Sequence, residues 1–185
     1  GAADGFARMT EKPAATLLHL GPGLANGIAN LHNARRANSP MINIVGNHAN
    51  FHIGFDTPLT SNIEPLAQNY SAWINSCSTS KTLAQHGADA YTATLRQSIE
   101  SQGQIATLIM GSDAAWGPSS GPVVPNSLPS RSTVEEATIA KIGDLLAGGG
   151  KTVLLLEHHA IKPEALAAAG RIAGKTGCRL MTGTF

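Results

Sequence analysis

The 185-residue sequence has little charge and few aromatic side chains. Charged residues make up 14% and aromatic residues 4% of the chain, against 20 glycines and 42% hydrophobic residues. The formal net charge is +1, and no basic cluster is longer than the Arg35-Arg36 pair. Because nucleic acids are bound through basic patches, we expect no nucleic-acid partner. The composition favours closely packed layers of helices and strands.

Cysteines and long apolar runs are also scarce. Cys77 and Cys178 are the only cysteines, and their wide separation is not the spacing of a metal site. We expect both to be small buried residues in a reducing compartment, and therefore a cytoplasmic location. No apolar run reaches the roughly 18 residues of a membrane-spanning helix. The sequence opens in the middle of a helical pattern and has no signal peptide, so we expect a fragment of a longer protein.

Residues 14–54 contain the clearest pattern, which predicts a β-α-β unit. A strand is predicted over 15–20, a turn at Gly21-Pro22-Gly23, a helix over 24–37 and a second strand over 41–45. Two strands joined by a helix are parallel and buried on both faces. Ligands of open parallel sheets bind beyond the carboxyl ends of the strands, where His19, Asn47 and His48 lie. The chemistry is expected at this edge.

The remaining elements continue an α/β pattern. Their predicted order is an exposed polar loop over 47–61, a short helix over 61–67, a strand over 70–77, an amphipathic helix over 81–102 and a buried strand over 105–110. Residues 112–132 are rich in Pro, Gly and Ser and are predicted to be a linker. A first domain is therefore expected over 1–111.

A second α/β domain is predicted to begin after this linker, over 133–185. Thr133 and Glu136 have the spacing of a capping box that opens a helix to residue 147, and residues 152–156 form an apolar strand. Pro163 marks the start of another helix, Gly177 marks its end, and a strand over 179–182 follows.

The glycines after the first strand allow two interpretations. Gly21, Gly23 and Gly27 nearly match the dinucleotide-binding fingerprint, but Asn26 stands where its third glycine belongs. No acidic residue follows the second strand to bind a ribose. The glycines could equally serve a tight turn between strand and helix.

Histidine is the other candidate chemical group. A lone His in an apolar run is often a core residue, but His19 lies at a strand's carboxyl end and is a candidate catalytic residue. His48 and His52 could share a metal only in a helix, which Asn50 and Gly54 disfavour, so no metal site is predicted. The candidate carboxylates have no partner at a telling spacing; they are Asp4, Asp56 and Glu64.

Several motifs together resemble the pyrimidine-binding domain of thiamine-diphosphate enzymes, particularly the acetolactate synthase large subunit and benzoylformate decarboxylase. They are AADGFAR at 2–8, Lys12-Pro13-Ala14 and LGPGLAN at 20–26. Residues 139–180 resemble the start of the central domain of that family. The implied fold is α/β: a three-layer sandwich around a parallel sheet, followed by the start of a second Rossmann-like domain.

The resemblance also implies site residues. His19 matches an active-site histidine of benzoylformate decarboxylases. Gly21, Gly23 and Asn26 would contact the cofactor, and the substrate pocket would be lined by four residues: Leu20, Asn47, His48 and Leu59. Thiamine diphosphate and Mg²⁺ are implied, with the diphosphate and metal held mainly by a domain absent from this chain, and the family's catalytic glutamate would lie before Gly1.

The implied partners are a second copy of the chain across the active site and a small 2-keto acid. FAD binding stays open, because His158-His159 stands where the synthases carry small glycines beside a flavin. The leading hypothesis is a thiamine-diphosphate-dependent 2-keto acid decarboxylase or carboligase resembling acetolactate synthase. The alternatives are a decarboxylase like benzoylformate decarboxylase, a Rossmann-type nucleotide-binding domain and a module without catalysis.

Overall fold

The structure, a computed structural model, describes residues 1–95, 103–127, 133–148 and 150–183. Contacts divide the chain into two compact units, residues 1–129 and 130–185. The predicted domain limits at 111 and 133 stay a prediction. Each unit is described by itself.

The first unit contains a parallel sheet of four strands. Its strands are β1 (Ala14–His19), β2 (Met41–Asn47), β3 (Trp73–Cys77) and β4 (Ile105–Gly111), in the order β1-β2-β4-β3. Its helices are α1 (Ala2–Thr10), α2 (Leu20–Arg36), α3 (Asn50–Ile53), α4 (Ile63–Gln68), α5 (Ser80–Leu95) and α6 (Ser112–Trp116). The predicted β-α-β unit is β1-α2-β2.

Side chains of β4 alternate between two hydrophobic cores, as a strand buried on both faces requires. Ile105 and Ile109 pack with α2 and α4 on one face of the sheet. Leu108 packs with α5 and with Ala114 of α6 on the other face. Helices therefore cover both faces, and the predicted three-layer α/β sandwich is confirmed.

A chain of polar side chains crosses the first of these cores at one level of the sheet. Thr16 donates a hydrogen bond to Asn43 (Oγ1 to Oδ1, 2.8 Å), and Asn43 donates one to Thr107 (Nδ2 to Oγ1, 3.3 Å). These three residues are direct register partners on β1, β2 and β4. Because Asn43 is fully buried, a slip of one residue would leave its amide unpaired. The chain therefore favours one register.

Helix α1 is tied through Asp4 to the connection between α2 and β2. Arg8 donates two hydrogen bonds to the Asp4 carboxylate (2.8 and 2.9 Å), and the buried Ser39 hydroxyl donates a third (2.5 Å). The prediction that Asp4 lacks a partner is therefore wrong. Glu64 also has one, since the Ser76 hydroxyl donates to it at 2.7 Å. The Asp4–Arg8 pair has the four-residue spacing of neighbours on a helix and is a local signal. The serine partners lie 35 and 12 residues away and leave no such signal.

The second unit pairs two further parallel strands. Its elements are α7 (Glu136–Ala147), β5 (Val153–Leu156), a 3₁₀ helix (His158–Ile161), α8 (Pro163–Thr176) and β6 (Arg179–Thr182). Pro163 starts α8, where its missing N–H is harmless, and Gly177 ends it at a φ of 72°. The predicted second α/β unit is confirmed.

Four predictions about local structure need correction. Helix α2 begins at Leu20, so residues 21–23, the expected glycine turn, form its first helical turn. Pro22 is tolerated there because the N–H groups of a first turn have no partner within the helix. Helix α3 lies in the predicted polar loop, and α6 lies in the predicted linker. The capping box is absent, because Glu135 precedes α7 and makes no side-chain cap bond. Residues 96–102, the last part of the helix predicted over 81–102, lie outside the described residues.

No helix among the described residues combines the length and the apolar character needed to cross a membrane. Cys77 and Cys178 are both buried free thiols, as predicted.

Replacing Asp4 tests how α1 is held. Burial raises the pKa of this carboxyl, but hydrogen bonds from Arg8 and Ser39 and the charge of Arg8 outweigh it, so the pKa is lowered from 3.8. This stabilisation is present above the unfolded value and is lost as pH falls through the lower folded value. We expect Asp4→Asn to cost about 1 kcal/mol of unfolding free energy at pH 7. Urea unfolding at several pH values measures this.

The control is Asp56→Asn, because Asp56 is exposed. The difference between wild type and Asp4→Asn should shrink as pH falls below 3.8. A difference independent of pH would contradict a role for the Asp4 charge.

Candidate active site at the carboxyl edge of the sheet

His19 lies at the carboxyl end of β1 and is exposed. Its backbone is extended (φ −98°, ψ 107°), yet it is also the N-cap residue of α2. No loop residue separates the strand from the helix. The imidazole is therefore carried by the junction of two regular elements, which is a rigid mounting.

Leu20 follows directly and has a left-handed backbone with a φ of 55°. Its side chain is only 3% exposed. The predicted pocket residue therefore faces the interior, beneath the edge where His19 is exposed. Its role towards a substrate stays a prediction.

The two predicted cofactor glycines at this junction have packing roles. A Cβ built at Gly21 would overlap Cβ and Oγ of Ser61, and one at Gly23 would lie 3.3 Å from the Leu18 carbonyl carbon and 3.5 Å from His19 Cβ. Gly21 thus lets the segment before α4 reach α2, and Gly23 lets α2 approach β1. The third predicted contact, Asn26, lies further along α2 and is exposed.

His48 holds the segment 57–61 from the neighbouring strand end. Its Nε2 lies 3.2 Å from the Pro58 carbonyl oxygen and 3.2 Å from the Thr57 hydroxyl. A carbonyl only accepts, so the Pro58 contact requires a proton on Nε2. Asn47 orients the backbone at His48, because its Oδ1 accepts the His48 backbone N–H at 2.9 Å.

Leu59 is the exposed tip of this segment. It is 50% exposed, with a φ of 70°. The Ser61 hydroxyl donates to its carbonyl (2.9 Å), and Ser61 also packs on Gly21. The fold therefore joins His48, Leu59 and Gly21 into one continuous rim beside His19.

Sequence reasoning missed Asp113, which fastens the loops at this edge. Its carboxylate accepts the Asn50 side-chain amide at 2.8 Å and the Asn50 backbone N–H at 3.1 Å. Asn50 also donates to the Ser78 carbonyl, and Ser112 donates to the Asn47 carbonyl. Loops after β2, β3 and β4 are thus tied together. The available signal was the Ser-Asp pair directly after a buried strand.

His48 and His52 pack against each other, and the expectation that their segment is not helical is wrong for His52. The two rings are 5.8 Å apart in an edge-to-face arrangement, and His52 lies in α3, where no helix was predicted. Asp113 accounts for helix α3, because its carboxylate accepts the backbone N–H of Asn50, the first residue of that helix. The two residues are 63 positions apart in the sequence. Within 1–95, 103–127, 133–148 and 150–183, no three His, Cys, Asp or Glu side chains are placed to hold a metal.

Comparison with known families assigns the region that forms this edge. Residues 1–69 match the family described as "Thiamine pyrophosphate enzyme, N-terminal TPP binding domain". This chain carries a TPP-enzyme N-terminal domain. The match spans α1 to α4 and contains His19, Gly21, His48 and Leu59.

One curated relative matches the whole chain. It is "Putative acetolactate synthase large subunit IlvX" from Mycobacterium tuberculosis, 41% identical over all 185 residues. The chain covers only 35% of that relative's length. The chain is thus similar to about a third of a putative acetolactate synthase large subunit.

Solved structures share the fold of the TPP-enzyme domain and the unit after it. A "putative thiamin diphosphate-dependent enzyme" from Mycobacterium smegmatis aligns with a TM-score of 0.85 at 22% identity, covering 99% of this chain and 35% of that one. The thiamine diphosphate-dependent 4-hydroxybenzoylformate decarboxylase of Rhodococcus jostii RHA1 aligns with a TM-score of 0.85 at 18% identity, covering 98% of this chain and 34% of that one. Benzoylformate decarboxylase from Polynucleobacter necessarius aligns with a TM-score of 0.69 at 20% identity, covering 83% of this chain and 28% of that one.

Substitution of Gly21 tests the packing of the TPP-enzyme domain at α2. Gly21→Ala should lower the free energy of unfolding by roughly 2 kcal/mol, because the methyl group overlaps Ser61. Gly27→Ala is the matched control in the same helix, since its Cβ would meet only Leu18 Cδ1 at 3.8 Å. It should be neutral or stabilising. Urea unfolding measures both.

The added substitution Ser61→Gly should restore most of the lost stability, since it removes the overlapping atoms. Equal losses in the single and double variants would contradict this contact as the reason for Gly21.

Removal of the Asp113 carboxylate tests the loop attachment. Asp113→Ala deprives the Asn50 backbone N–H of its acceptor, so this amide should exchange with solvent about tenfold faster. Hydrogen exchange measured over residues 47–61 reports the change. Asp144→Ala, at an exposed position of α7, is the control, and unchanged exchange in Asp113→Ala would refute the attachment.

Proposed function

We propose that this chain supplies the pyrimidine-binding part of a thiamine-diphosphate-dependent carboligase that acts on 2-keto acids, as an acetolactate synthase large subunit does. The observation that carries this proposal is the 41% identity over all 185 residues, which includes both units. Because the chain spans about a third of that relative, the activity is proposed for the gene product that contains it.

The rim beside His19 fits an uncharged aromatic ring better than a diphosphate. The exposed side chains that we consider here are the His19 imidazole, the half-exposed Leu59 and the amide of Asn26. Gly23 leaves the backbone of α2 without a side chain at this point. We assign the pyrimidine of thiamine diphosphate to Asn26 and to the α2 backbone at Gly23, next to the His19 imidazole, with Gly21 supporting this part of α2 through Ser61.

We assign the diphosphate and its Mg²⁺ to other parts of the protein. The described residues contain no cluster of three possible metal ligands. When bound, thiamine diphosphate supplies the electron sink for carbon–carbon bond chemistry. FAD binding, a second copy across the site and a cytoplasmic location stay predictions.

His19 is the proposed acid–base group of this site. Its imidazole is exposed at the carboxyl end of β1, next to the assigned cofactor position. An imidazole near neutrality can hold a proton beside a 2-keto acid and exchange it during the reaction. Leu59 and His48 would bound the substrate pocket on the side of segment 57–61, while Asn47 and Leu20 support it.

A non-oxidative decarboxylase like benzoylformate decarboxylase is the second candidate. It is favoured by His19 itself, which resembles an active-site histidine of those enzymes. The two activities differ in what accepts the decarboxylated fragment, a proton or a second carbonyl compound. Product analysis with pyruvate and with benzoylformate distinguishes them.

Replacing His19 tests its proposed role in both the carboligase and the decarboxylase. In the gene product that contains this chain, His19→Ala should lower kcat for a 2-keto acid roughly 100-fold, because proton transfer is lost. Thiamine diphosphate affinity, measured by titration of activity and by fluorescence quenching, should change less than about twofold, since His19 is not assigned to hold the cofactor.

His32→Ala is the control, because His32 is an exposed histidine of helix α2, which begins directly after His19. Unchanged turnover in His19→Ala would remove His19 from the catalytic machinery. Absence of any thiamine diphosphate binding by the wild-type protein would refute the proposed function as a whole.

A further inference from the structure

We infer that Leu20 is a positioning residue: its buried side chain locks a left-handed backbone turn that fixes the direction of the His19 imidazole. This inference rests on the proposed role of His19 and extends it to a residue whose side chain does not face the site.

The backbone of Leu20 is unfavourable by itself. A left-handed residue with a side chain costs roughly five- to thirty-fold in a conformational equilibrium. Six described residues other than glycine have a positive φ, and the other five are Glu11, Asn38, Asp56, Leu59 and His158. Among them Leu20 alone is buried. Such a conformation persists only when the surroundings impose it.

The surroundings of Leu20 do impose it from both sides. His19 is held in β1, paired with Gly46 of β2. On the other side, α2 begins at once, with Gly21 packed on Ser61 and Gly23 packed on Leu18 and His19. The whole change of direction from strand to helix therefore falls on the dihedral angles of one residue.

The distribution of glycine at this junction is the decisive observation. Gly21 and Gly23 do not have positive φ values; they provide space for neighbouring atoms. The residue that does need a positive φ is a leucine. A glycine at position 20 would adopt this turn without strain, but it would also permit many other conformations. Leucine adds an apolar anchor, 3% exposed, that keeps the junction in one conformation.

Two variants separate positioning from stability. Leu20→Ala and Leu20→Gly both remove the anchor, but only glycine relieves the positive φ. Leu20→Gly should therefore have a folding equilibrium constant roughly two- to fivefold larger than that of Leu20→Ala. In the gene product that contains this chain, its kcat should nevertheless be lower than that of Leu20→Ala, by about tenfold at similar KM. A purely structural role predicts the same order for stability and kcat.

A second measurement uses the unchanged 185-residue chain and needs no variant to fold. NMR relaxation of the imidazole carbons should show the His19 ring to be as rigid as the backbone on the ps–ns timescale. His32 is the matched exposed histidine of α2, and its ring should be mobile. Equal mobility of the two rings would overturn the inference.

The outcomes separate this inference from the proposed function. If His19→Ala is inactive but Leu20→Gly turns over at least as fast as Leu20→Ala, the positioning role is wrong and the function of His19 stands. If His19→Ala is fully active, the proposed function of His19 fails and the inference fails with it.

Discussion

The register of the parallel sheet is the constraint on which the candidate site depends. Parallel strands direct their carboxyl ends to the same edge, so a side chain at the end of β1 meets those at the ends of β2 and β4 only if the strands do not slip. Thr16, Asn43 and Thr107 share hydrogen bonds at one level across these strands. A buried amide that is satisfied in one register alone makes any slip costly.

The edge is then assembled by contacts between loops. Ser61 packs on Gly21, His48 contacts Thr57 and Pro58, and Asp113 binds Asn50. Each contact joins segments that follow different strands or helices. His19 and Leu59 are exposed at this edge, while Leu20 is buried. The chemistry assigned to the site needs this combination of an exposed imidazole and a rigid mounting.

Most of the secondary structure was predictable because it is encoded locally. The apolar runs that became β1, β2, β4, β5 and β6 are visible in the sequence, as are Pro163 and Gly177 at the two ends of α8. The two helices that were not predicted share one cause, which is stabilisation by residues or surfaces outside their own sequence. Helix α3 contains residues with low helix propensity and depends on Asp113, 63 residues away. Helix α6 lies in a stretch of linker-like composition, yet buries Ala114 beneath the sheet.

The sequence by itself determined the α/β class, the parallel pairing, the second unit and the family. These follow from hydrophobic periodicity, from glycines and prolines at the ends of helices and strands, and from motifs such as AADGFAR, all of which are properties of neighbouring residues. It also pointed to His19, Asn47 and His48 at strand ends. Only the tertiary structure decided that Gly21 provides space for Ser61, that Asp113 ties three loops together and that Leu20 has a left-handed turn. Those features arise where distant segments compete for the same space and the same hydrogen-bond donors, and no local pattern records that competition.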